Sequence, residues 1–117
     1  MKHIDAGALD RELKKGSVEL LVLSLLEHGS SHGYDIGRRM EILSQGRIRL
    51  KAASLYPLLY RLEDRGWIEG RWVERPGERR RRFYRLTATG RKALAEQRDV
   101  WREFVEAMSW VMGGANA

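Results

Sequence analysis

Seven arginines crowd into residues 71–85 and give this short segment a clear chemical preference. The segment carries +5 of the chain's net charge of +6, because only Glu74 and Glu78 oppose the arginines. A guanidinium group matches two phosphate oxygens at once, whereas a solvated surface without a partner usually mixes lysines with acids. We therefore expect the segment to bind a polyanion, with nucleic acid favoured over a merely solvated face. The arginines are Arg71, Arg75, Arg79, Arg80, Arg81, Arg82 and Arg85.

The block from Lys51 to Gly66 precedes most of these arginines and has the pattern of a helix that positions side chains for contact. Pro57 lacks an amide hydrogen, which a helix tolerates only in its first turn, so the helix is expected to begin between Ala52 and Tyr56. Lys51 is a poor N-cap, so this end is expected to be held by tertiary contacts or by phosphates docked on the free amides. One face is predicted to enter the core, and it consists of Leu55, Leu58, Leu59 and Leu62.

The rest of that helix surface holds, near the helix start, the candidates for contact with a nucleic acid. Arg61 is suited to a guanine edge, whereas Ser54 and the tyrosine hydroxyls suit phosphate oxygens. The alternatives are partial burial of each tyrosine against the following hairpin and an ion pair between Arg61 and Glu63 or Asp64. The arginine run is expected to add affinity rather than sequence choice. The full set of candidates is Lys51, Ser54, Tyr56, Pro57, Tyr60, Arg61, Arg79, Arg80, Arg81 and Arg82.

Three helices are predicted in the first 44 residues as the support for this block. Residues 5–14 are expected to form a short helix, and Ser17 is expected to cap a second, apolar helix that runs through Glu27. A third helix is predicted over residues 32–44, after a cap at Ser30 or Ser31. Its inward side chains are predicted to be Ile36, Met40 and Leu43.

Three short strands are predicted beside the helices. The segment Ile48–Leu50 alternates in polarity and predicts the first strand. Two more are expected over residues 67–75 and 83–87, on either side of a break at Pro76 and Gly77. Their core side is assigned to Trp67, Ile68, Tyr84 and Leu86. Helices followed by a two-stranded basic hairpin indicate a mainly α fold with a small β wing, the winged helix-turn-helix plan.

The C-terminal quarter predicts one long helix, capped by Thr87 and running from Ala88 to about Met112 before the tail frays. Its apolar stripe follows nearly a seven-residue repeat, interrupted at Gln97 and Arg98, and is typical of a coiled-coil-like dimerisation helix. The alternative is a helix that folds back on its own domain, which so long a helix would overhang. The stripe consists of Leu94, Trp101, Phe104, Val105, Met108, Val111 and Met112.

The composition narrows the class of protein. The chain has no cysteine, which excludes disulfides and cysteine-bound metals. Its N-terminus opens no signal-like apolar run, so a cytoplasmic protein without a membrane partner is expected. The histidines His3, His28 and His32 lack ligand spacing, and no converging polar set suggests an enzyme, a metal site or a cofactor. The rival interpretation is a winged-helix module that binds RNA or a protein partner.

Three motifs in this order resemble the PadR family of bacterial transcriptional regulators, in particular its shorter second subfamily. They are Gly33-Tyr34-Asp35-Ile36, the run 54–63, and the run 80–87 with Gly90. The resemblance implies a homodimeric repressor that binds double-stranded DNA at a palindromic operator. It also implies a dimer built through the C-terminal helix, with help from Leu9 and Leu13 of the N-terminal one. Lys51 departs from the family pattern, since many members have a polar helix cap there.

The resemblance also suggests where an effector binds. In some relatives, aromatic residues at the middle of the C-terminal helix line a pore between subunits that takes flat hydrophobic compounds. Trp101, with Phe104 and Val105, is thereby implied as the site of a planar hydrophobic molecule that relieves repression; the alternative is a tryptophan that fills the dimer core. The chain is expected to divide into residues 1–87, the winged helix-turn-helix domain with the N-terminal helix, and residues 88–117, the dimerisation helix with its frayed tail.

Overall fold

The computed structural model describes the backbone of residues 7–113 and the side chains of residues 16–113. The elements in chain order are α1 (Gly7–Leu25), β1 (Ser31–His32), α2 (Gly33–Leu43), α3 (Ala52–Asp64), β2 (Ile68–Val73), β3 (Arg81–Leu86) and α4 (Ala88–Val111). The three strands form one antiparallel sheet in the order β1-β3-β2. The fold is therefore mainly α with a small β wing and a long C-terminal helix, as predicted.

The core lies between the first three helices and one face of the sheet. The four leucines of α3 are at most 3% exposed, so the helical spacing identified this buried face correctly. Ile68, Tyr84 and Leu86 close the core from the hairpin side, while Trp67 packs at its edge and is partly buried. Burial of this apolar surface holds α3 firmly and leaves its opposite side free for contact.

One continuous helix replaces the two that the sequence predicts at the N-terminal end. The helix Gly7–Leu25 has no break, so the short helix over 5–14 and the N-cap at Ser17 are wrong. The exposed Gly16 lowers helix stability by only about 1 kcal/mol, which the burial of side chains such as Leu23 outweighs. Two predicted interface residues of this helix have side chains outside the described residues: Leu9 and Leu13.

His32 caps α2, in place of the predicted Ser30 or Ser31. The Nδ1 atom of His32 accepts a hydrogen bond from the backbone amide of Asp35 at 3.2 Å. Ser31 lies buried in β1, where its backbone pairs with Tyr84 and its hydroxyl donates to the Asp35 carboxylate at 3.1 Å. Pairing with a distant strand fixes Ser31 in extended conformation one residue before the cap, and that pairing cannot be recognised from local sequence.

The third strand of the sheet is Ser31–His32 and not the predicted Ile48–Leu50. The latter segment has no strand pairing; Ile48 and Leu50 pack against the core as partly buried side chains. Leu43, predicted to point inward, is 68% exposed in the last turn of α2. Both predictions are wrong because alternating or helical spacing over so few residues does not decide which side meets the core.

The start of α3 is Ala52, the earliest position that the sequence allowed. Lys51 is the N-cap residue, and its side chain makes no capping hydrogen bond, as predicted. Pro57 therefore lies in the second turn and not in the first. Without the proline amide hydrogen, the carbonyl group of Ala53 has no partner within the helix. Ala53 itself is exposed on the surface of α3.

The first turns of α4 belong to the core. Thr87 caps the helix as predicted, accepting from the amide of Gly90 at 2.9 Å and donating to the carbonyl oxygen of Gly66 at 2.6 Å. Leu94 is 2% exposed and packs in the core of its own chain, so its assignment to a dimer interface is wrong. Among the described helices none is long and apolar enough to cross a bilayer. Over the same part of the chain, no three metal-binding side chains converge.

Candidate nucleic-acid interface

The exposed surface of α3 divides into two stripes. Ser54, Pro57 and Arg61 stand three and four residues apart and share one stripe. Tyr56 and Tyr60 form the other, which faces the hairpin. Arg61 lies in the last turn of α3, roughly 10 Å along the axis from Ser54. The expectation that Arg61 lies near the helix start is therefore wrong.

Both tyrosines remain open to solvent. Tyr60 is 65% exposed, and Tyr56 is 39% exposed with its ring against Gly33 at the start of α2. Neither is buried against the hairpin, which was the alternative interpretation of the sequence. The alternative for Arg61 also fails for one of its two acids, because the carboxylate of Glu63 is bound to the hairpin.

A cleft of about 440 Å³ separates α3 from the hairpin. One wall is the tyrosine stripe, the other carries arginines and an indole ring, and the start of α2 closes one end. Rings that pack on sugars or bases, combined with guanidinium groups that bind phosphates, are the side chains of nucleic-acid grooves. The lining residues are His32, Gly33, Tyr34, Tyr56, Tyr60, Trp72, Arg79, Arg80, Arg81, Arg82 and Tyr84.

The arginine run from 79 to 82 does not form one patch. Arg79 and Arg80 precede β3 and are exposed in the loop. Arg81 and Arg82 are the first two residues of β3, and successive side chains of a strand point to opposite faces of the sheet. The predicted arginine-rich tip therefore consists of Arg79 and Arg80, although Arg80 also lies 3.4 Å from the carboxylate of Glu74 and over the ring of Trp72. Arg81 and Arg82 instead contact the cap residue of α2 and a residue of α3.

Arg81 lies against His32, the residue that caps α2. Its Nη1 atom is 3.0 Å from Nε2 of His32, and Phe83 meets the imidazole edge-on at 5.1 Å. Burial, and then the positive charge of Arg81, lower the pKa of His32 from its ordinary value of 6.5. Both effects favour the uncharged imidazole, whose Nδ1 atom accepts from the amide of Asp35 when the ring hydrogen is on Nε2. The sequence placed His32 at a helix start but did not indicate Arg81 as its neighbour.

Arg82 joins the hairpin to α3. Its Nη2 atom donates to Oε2 of Glu63 at 2.5 Å, and the same oxygen accepts from the backbone amide of Gly70 at 3.1 Å. The hydrogen bond to Glu63 is the main cause that raises the pKa of Arg82 above its ordinary value. Arg82 is thus engaged inside the protein, and its assignment as a free phosphate ligand does not match this geometry.

Trp72 is a cleft residue that the sequence analysis did not single out. Its indole is half exposed on β2, with the guanidinium carbon of Arg80 4.6 Å from the ring centre. Trp72 pairs with Arg82 across the hairpin, so it points to the same side as the tyrosines of α3. Its place in the cleft follows from the strand register, which pairs it with Arg82.

The predicted stripe of α4 is uncovered beyond its first turns. From Asp99 to Gly113 every residue except Ser109 is exposed. A second cavity of about 550 Å³ lies between α1 and α4, with Trp101 and Phe104 on its wall. Val105 does not line it. The exposed apolar residues of the stripe are Trp101, Phe104, Val105, Met108, Val111 and Met112.

Gln97 and Arg98, which interrupt the stripe, have separate surroundings. Arg98 binds both carboxylate oxygens of Glu27 at 2.6 and 2.9 Å and so ties α4 to the turn after α1. These bonds are the main cause that lowers the pKa of Glu27. The amide oxygen of Gln97, which lines the second cavity, is buried without a hydrogen-bond partner among the described residues.

Comparison with known proteins identifies relatives of most of the chain. The transcriptional regulator PadR-like family matches residues 22–96. The transcriptional regulator Rv3488 of Mycobacterium tuberculosis is 36% identical over 106 residues, which cover 89% of this chain and 91% of that protein. A transcriptional regulator from Clostridium thermocellum has a similar structure, with a TM-score of 0.77, 31% identity, and coverage of 84% of this chain and 92% of that one.

A further structural relative was solved together with DNA. PadR of Bacillus subtilis in complex with operator DNA gives a TM-score of 0.62 and 28% identity, over 68% of this chain and 45% of that chain. The family match over residues 22–96 includes α2, α3 and both hairpin strands, the elements that build the cleft. Proteins of this family are transcriptional regulators and not enzymes. The chain belongs to the PadR-like family of transcriptional regulators, as its motifs predicted.

Proposed function

We propose that the protein is a cytoplasmic repressor that binds a palindromic DNA operator as a homodimer and is released by a small molecule. The observation that carries this proposal is the cleft between α3 and the hairpin, where exposed tyrosines face arginines across about 440 Å³. The similarity to a PadR protein solved with operator DNA supports the same partner for this chain.

In this proposal α3 enters the major groove. The stripe with Ser54 and Arg61 faces the base edges, where a guanidinium group matches guanine. Lys51 and the free amides beside it lie at the start of the helix, where a phosphate is favoured. The hydroxyl groups of Tyr56 and Tyr60 bind phosphates of the strand that runs along the cleft.

The hairpin is the wing, which lies over the adjacent minor groove or backbone. Arg79 and Arg80 supply phosphate contacts that favour all sequences similarly. Arg81 approaches the same backbone from the edge of the cleft, beside His32. Affinity therefore comes mainly from the wing, whereas sequence choice comes from α3.

The uncovered part of α4 supplies the contact between two subunits. An apolar stripe that extends from the body is the kind of surface that pairs in coiled coils and marks protein interfaces. We assign DNA binding to residues 1–87 and subunit pairing to residues 88–117, although the first turns of α4 pack within the DNA-binding body. The proposed contacts are Trp101, Phe104, Val105, Met108, Val111 and Met112, with Leu9 and Leu13 from α1.

The cavity between α1 and α4 is the proposed site for a planar hydrophobic effector. Trp101 and Phe104 offer aromatic surface, with Val105 on the next position of the helix. A variant that keeps Trp101 and replaces the other tryptophans with phenylalanine tests this assignment. Planar aromatic dyes should quench its fluorescence; an unchanged signal would end the effector part of the proposal.

Binding to short DNA duplexes at several salt concentrations tests the DNA-binding surface. Replacing Arg79 and Arg80 with alanine should weaken binding to every sequence and reduce the log–log salt slope by ~0.9 for each phosphate that is no longer neutralised. The variant Arg61→Ala should instead lose preference for a selected operator over scrambled DNA. An unchanged salt slope removes the wing from the interface, and equal competition by RNA favours the rival RNA-binding function.

A further inference from the structure

Glu63 is the point at which α3 and the wing are joined. Its carboxylate accepts hydrogen bonds from the amide of Gly70 on β2 and from the guanidinium group of Arg82 on β3. One acid of the helix therefore binds both strands of the hairpin. Because β2 is an edge strand of the sheet, Glu63 also satisfies an amide that the sheet leaves unpaired.

The contacts continue from Arg82 toward the tip of the wing. The guanidinium carbon of Arg82 is 5.7 Å from the centre of the Trp72 ring, and that of Arg80 is 4.6 Å from the same ring. A Cβ at Gly70 would collide with the guanidinium group of Arg82, so the glycine leaves the space that Arg82 occupies. We call Glu63, Arg82, Trp72 and Arg80 the wing strut.

The negative charge of Glu63 is unfavourable for DNA binding on electrostatic grounds. Glu63 lies beside a cleft whose arginines attract a polyanion, and a nearby negative charge repels the same partner. On charge alone, neutralising Glu63 should strengthen DNA binding. Weaker DNA binding after neutralisation of Glu63 would instead mean that Glu63 acts by positioning other residues. Because the two effects change the affinity in opposite directions, a binding measurement distinguishes them.

We propose that Glu63 is a positioning residue that fixes the wing relative to α3 through Arg82 and Trp72. The strut holds Arg80 at the mouth of the cleft before DNA arrives, so less side-chain and hairpin freedom is lost on binding. Arg82 then serves as an internal link and not as a phosphate ligand. This inference rests on the proposed DNA-binding function, but the strut itself is a property of the free protein.

The hairpin offers a matched control in Glu69 and Arg85. Glu69 accepts from Arg85 at 2.6 and 2.9 Å across the same two strands, in an exposed ion pair that does not involve α3. The variants Glu63→Gln and Glu69→Gln each remove one negative charge and preserve the shape of the side chain. The change in net charge is therefore common to both variants. Glu63 lies nearer the cleft, so on charge alone its neutralisation should strengthen DNA binding by more than that of Glu69.

The DNA arm of the experiment compares these two variants on the same duplex at several salt concentrations. Glu63→Gln should bind about tenfold more weakly than the parent protein, with a salt slope reduced by ~0.9 because Arg80 no longer neutralises a phosphate. Glu69→Gln should bind as tightly as the parent or more tightly, with an unchanged slope. Equal or tighter binding by Glu63→Gln would overturn the proposal.

The second arm needs no DNA. Hydrogen exchange of the Gly70 amide in the free protein should accelerate in Glu63→Ala, which removes the acceptor, and stay unchanged in Glu69→Ala, at a temperature where both remain folded. Unchanged exchange at Gly70 would show that Glu63 does not hold the hairpin and would also overturn the strut. If the parent protein binds no DNA, the proposed function fails, while the exchange result still decides whether the strut exists.

A variant further along the strut tests its outer part. Trp72→Phe should keep most of the DNA affinity, because a smaller ring still supports the guanidinium group of Arg80. Trp72→Leu should lower both the affinity and the salt slope, without accelerating exchange at Gly70. A Trp72→Leu variant with the parent slope would contradict the role of Trp72 in placing Arg80.

Discussion

The ring of Tyr56 occupies the space that a side chain at Gly33 would need. A Cβ at Gly33 would lie 2.7 Å from both Cε1 and the hydroxyl oxygen of Tyr56, closer than Cβ atoms approach their neighbours in folded proteins. Gly33 is the first residue of α2, and Tyr56 lies in the first half of α3. The missing side chain at Gly33 thus lets the Tyr56 ring lie against the start of α2 at the end of the cleft.

The variant Gly33→Ala is therefore expected to displace the Tyr56 ring. It should weaken DNA binding, because the displaced ring lines the cleft. The free energy of unfolding should change by no more than about 1 kcal/mol, because the atoms that the Cβ would meet are the far end of an exposed side chain that can turn aside. Chemical denaturation and duplex binding measure the two effects. Gly37→Ala is the matched control, because its Cβ would meet Leu55 at an ordinary 3.7 Å. That variant should stabilise the helix by about 0.5–1 kcal/mol, and similar losses of DNA binding for both alanines would contradict this explanation.

His32 should make the stability of the protein depend on pH in a defined window. Its pKa is lowered in the folded state by burial and by Arg81, so the folded protein resists the proton that the unfolded chain accepts. The stabilising effect is complete above the ordinary pKa of 6.5 and is lost as the pH falls below it. Replacing His32 with asparagine, which also caps helices, should remove this loss in denaturation curves between pH 7 and pH 5. The replacement His28→Asn, at an exposed position, should not remove this loss of stability between pH 7 and pH 5.

Glu19 and Arg65 link α1 to the end of α3 through a partly buried ion pair. Arg65 donates to the carboxylate of Glu19 at 2.8 Å, and Glu19 itself is nearly buried. Arg65→Met should lower the free energy of unfolding by about 1–2 kcal/mol, less than for a fully buried pair because Arg65 is partly exposed. Adding Glu19→Gln should recover most of the loss. Arg38→Met breaks an exposed ion pair with Asp35 and should change the stability far less. Thermal unfolding of all three variants measures these differences.

Gly90 should be the least replaceable of the helical glycines. A Cβ at this position would run into the backbone carbonyl oxygen of Trp67, which cannot rotate away. Gly90→Ala should therefore lower stability by roughly 3 kcal/mol and lift the start of α4 from the core. Gly16→Ala, with nothing within 4 Å of its Cβ, should stabilise the continuous α1 by about 0.5–1 kcal/mol. A destabilising Gly16→Ala would indicate that α1 needs the break the sequence suggested.

Local sequence patterns predicted the buried face of α3 and the cap of α4 correctly. Both features depend mainly on residues within a few positions of each other. The leucine spacing of α3 requires one buried face, and Thr87 provides an oxygen for the amide of Gly90 whatever lies further away. The break at Ser17 was predicted from a glycine and a good capping residue. Those local preferences are worth about 1 kcal/mol each, and tertiary packing of a helix exceeds them.

Contacts between distant residues account for the parts of the site that the sequence did not reveal. The pairing of Ser31 with Tyr84 makes the third strand, and the alternation of β3 sends Arg81 toward His32 and Arg82 toward Glu63. A run of identical arginines has no internal pattern that separates these environments. The sequence therefore identified the wing as the basic element, while the structure gives each of its arginines a different set of neighbours.

Sequencing of DNA fragments that the purified protein selects from a random pool tests the central proposal most directly. We predict enrichment of an inverted repeat, with half-sites about one helical turn of ~10 base pairs apart or a multiple of it. Arg61→Ala should select the same symmetry with weaker base preference in each half-site. Recovery of fragments with no common sequence would contradict an operator-specific regulator, and enrichment of a single unrepeated site would contradict a symmetric dimer.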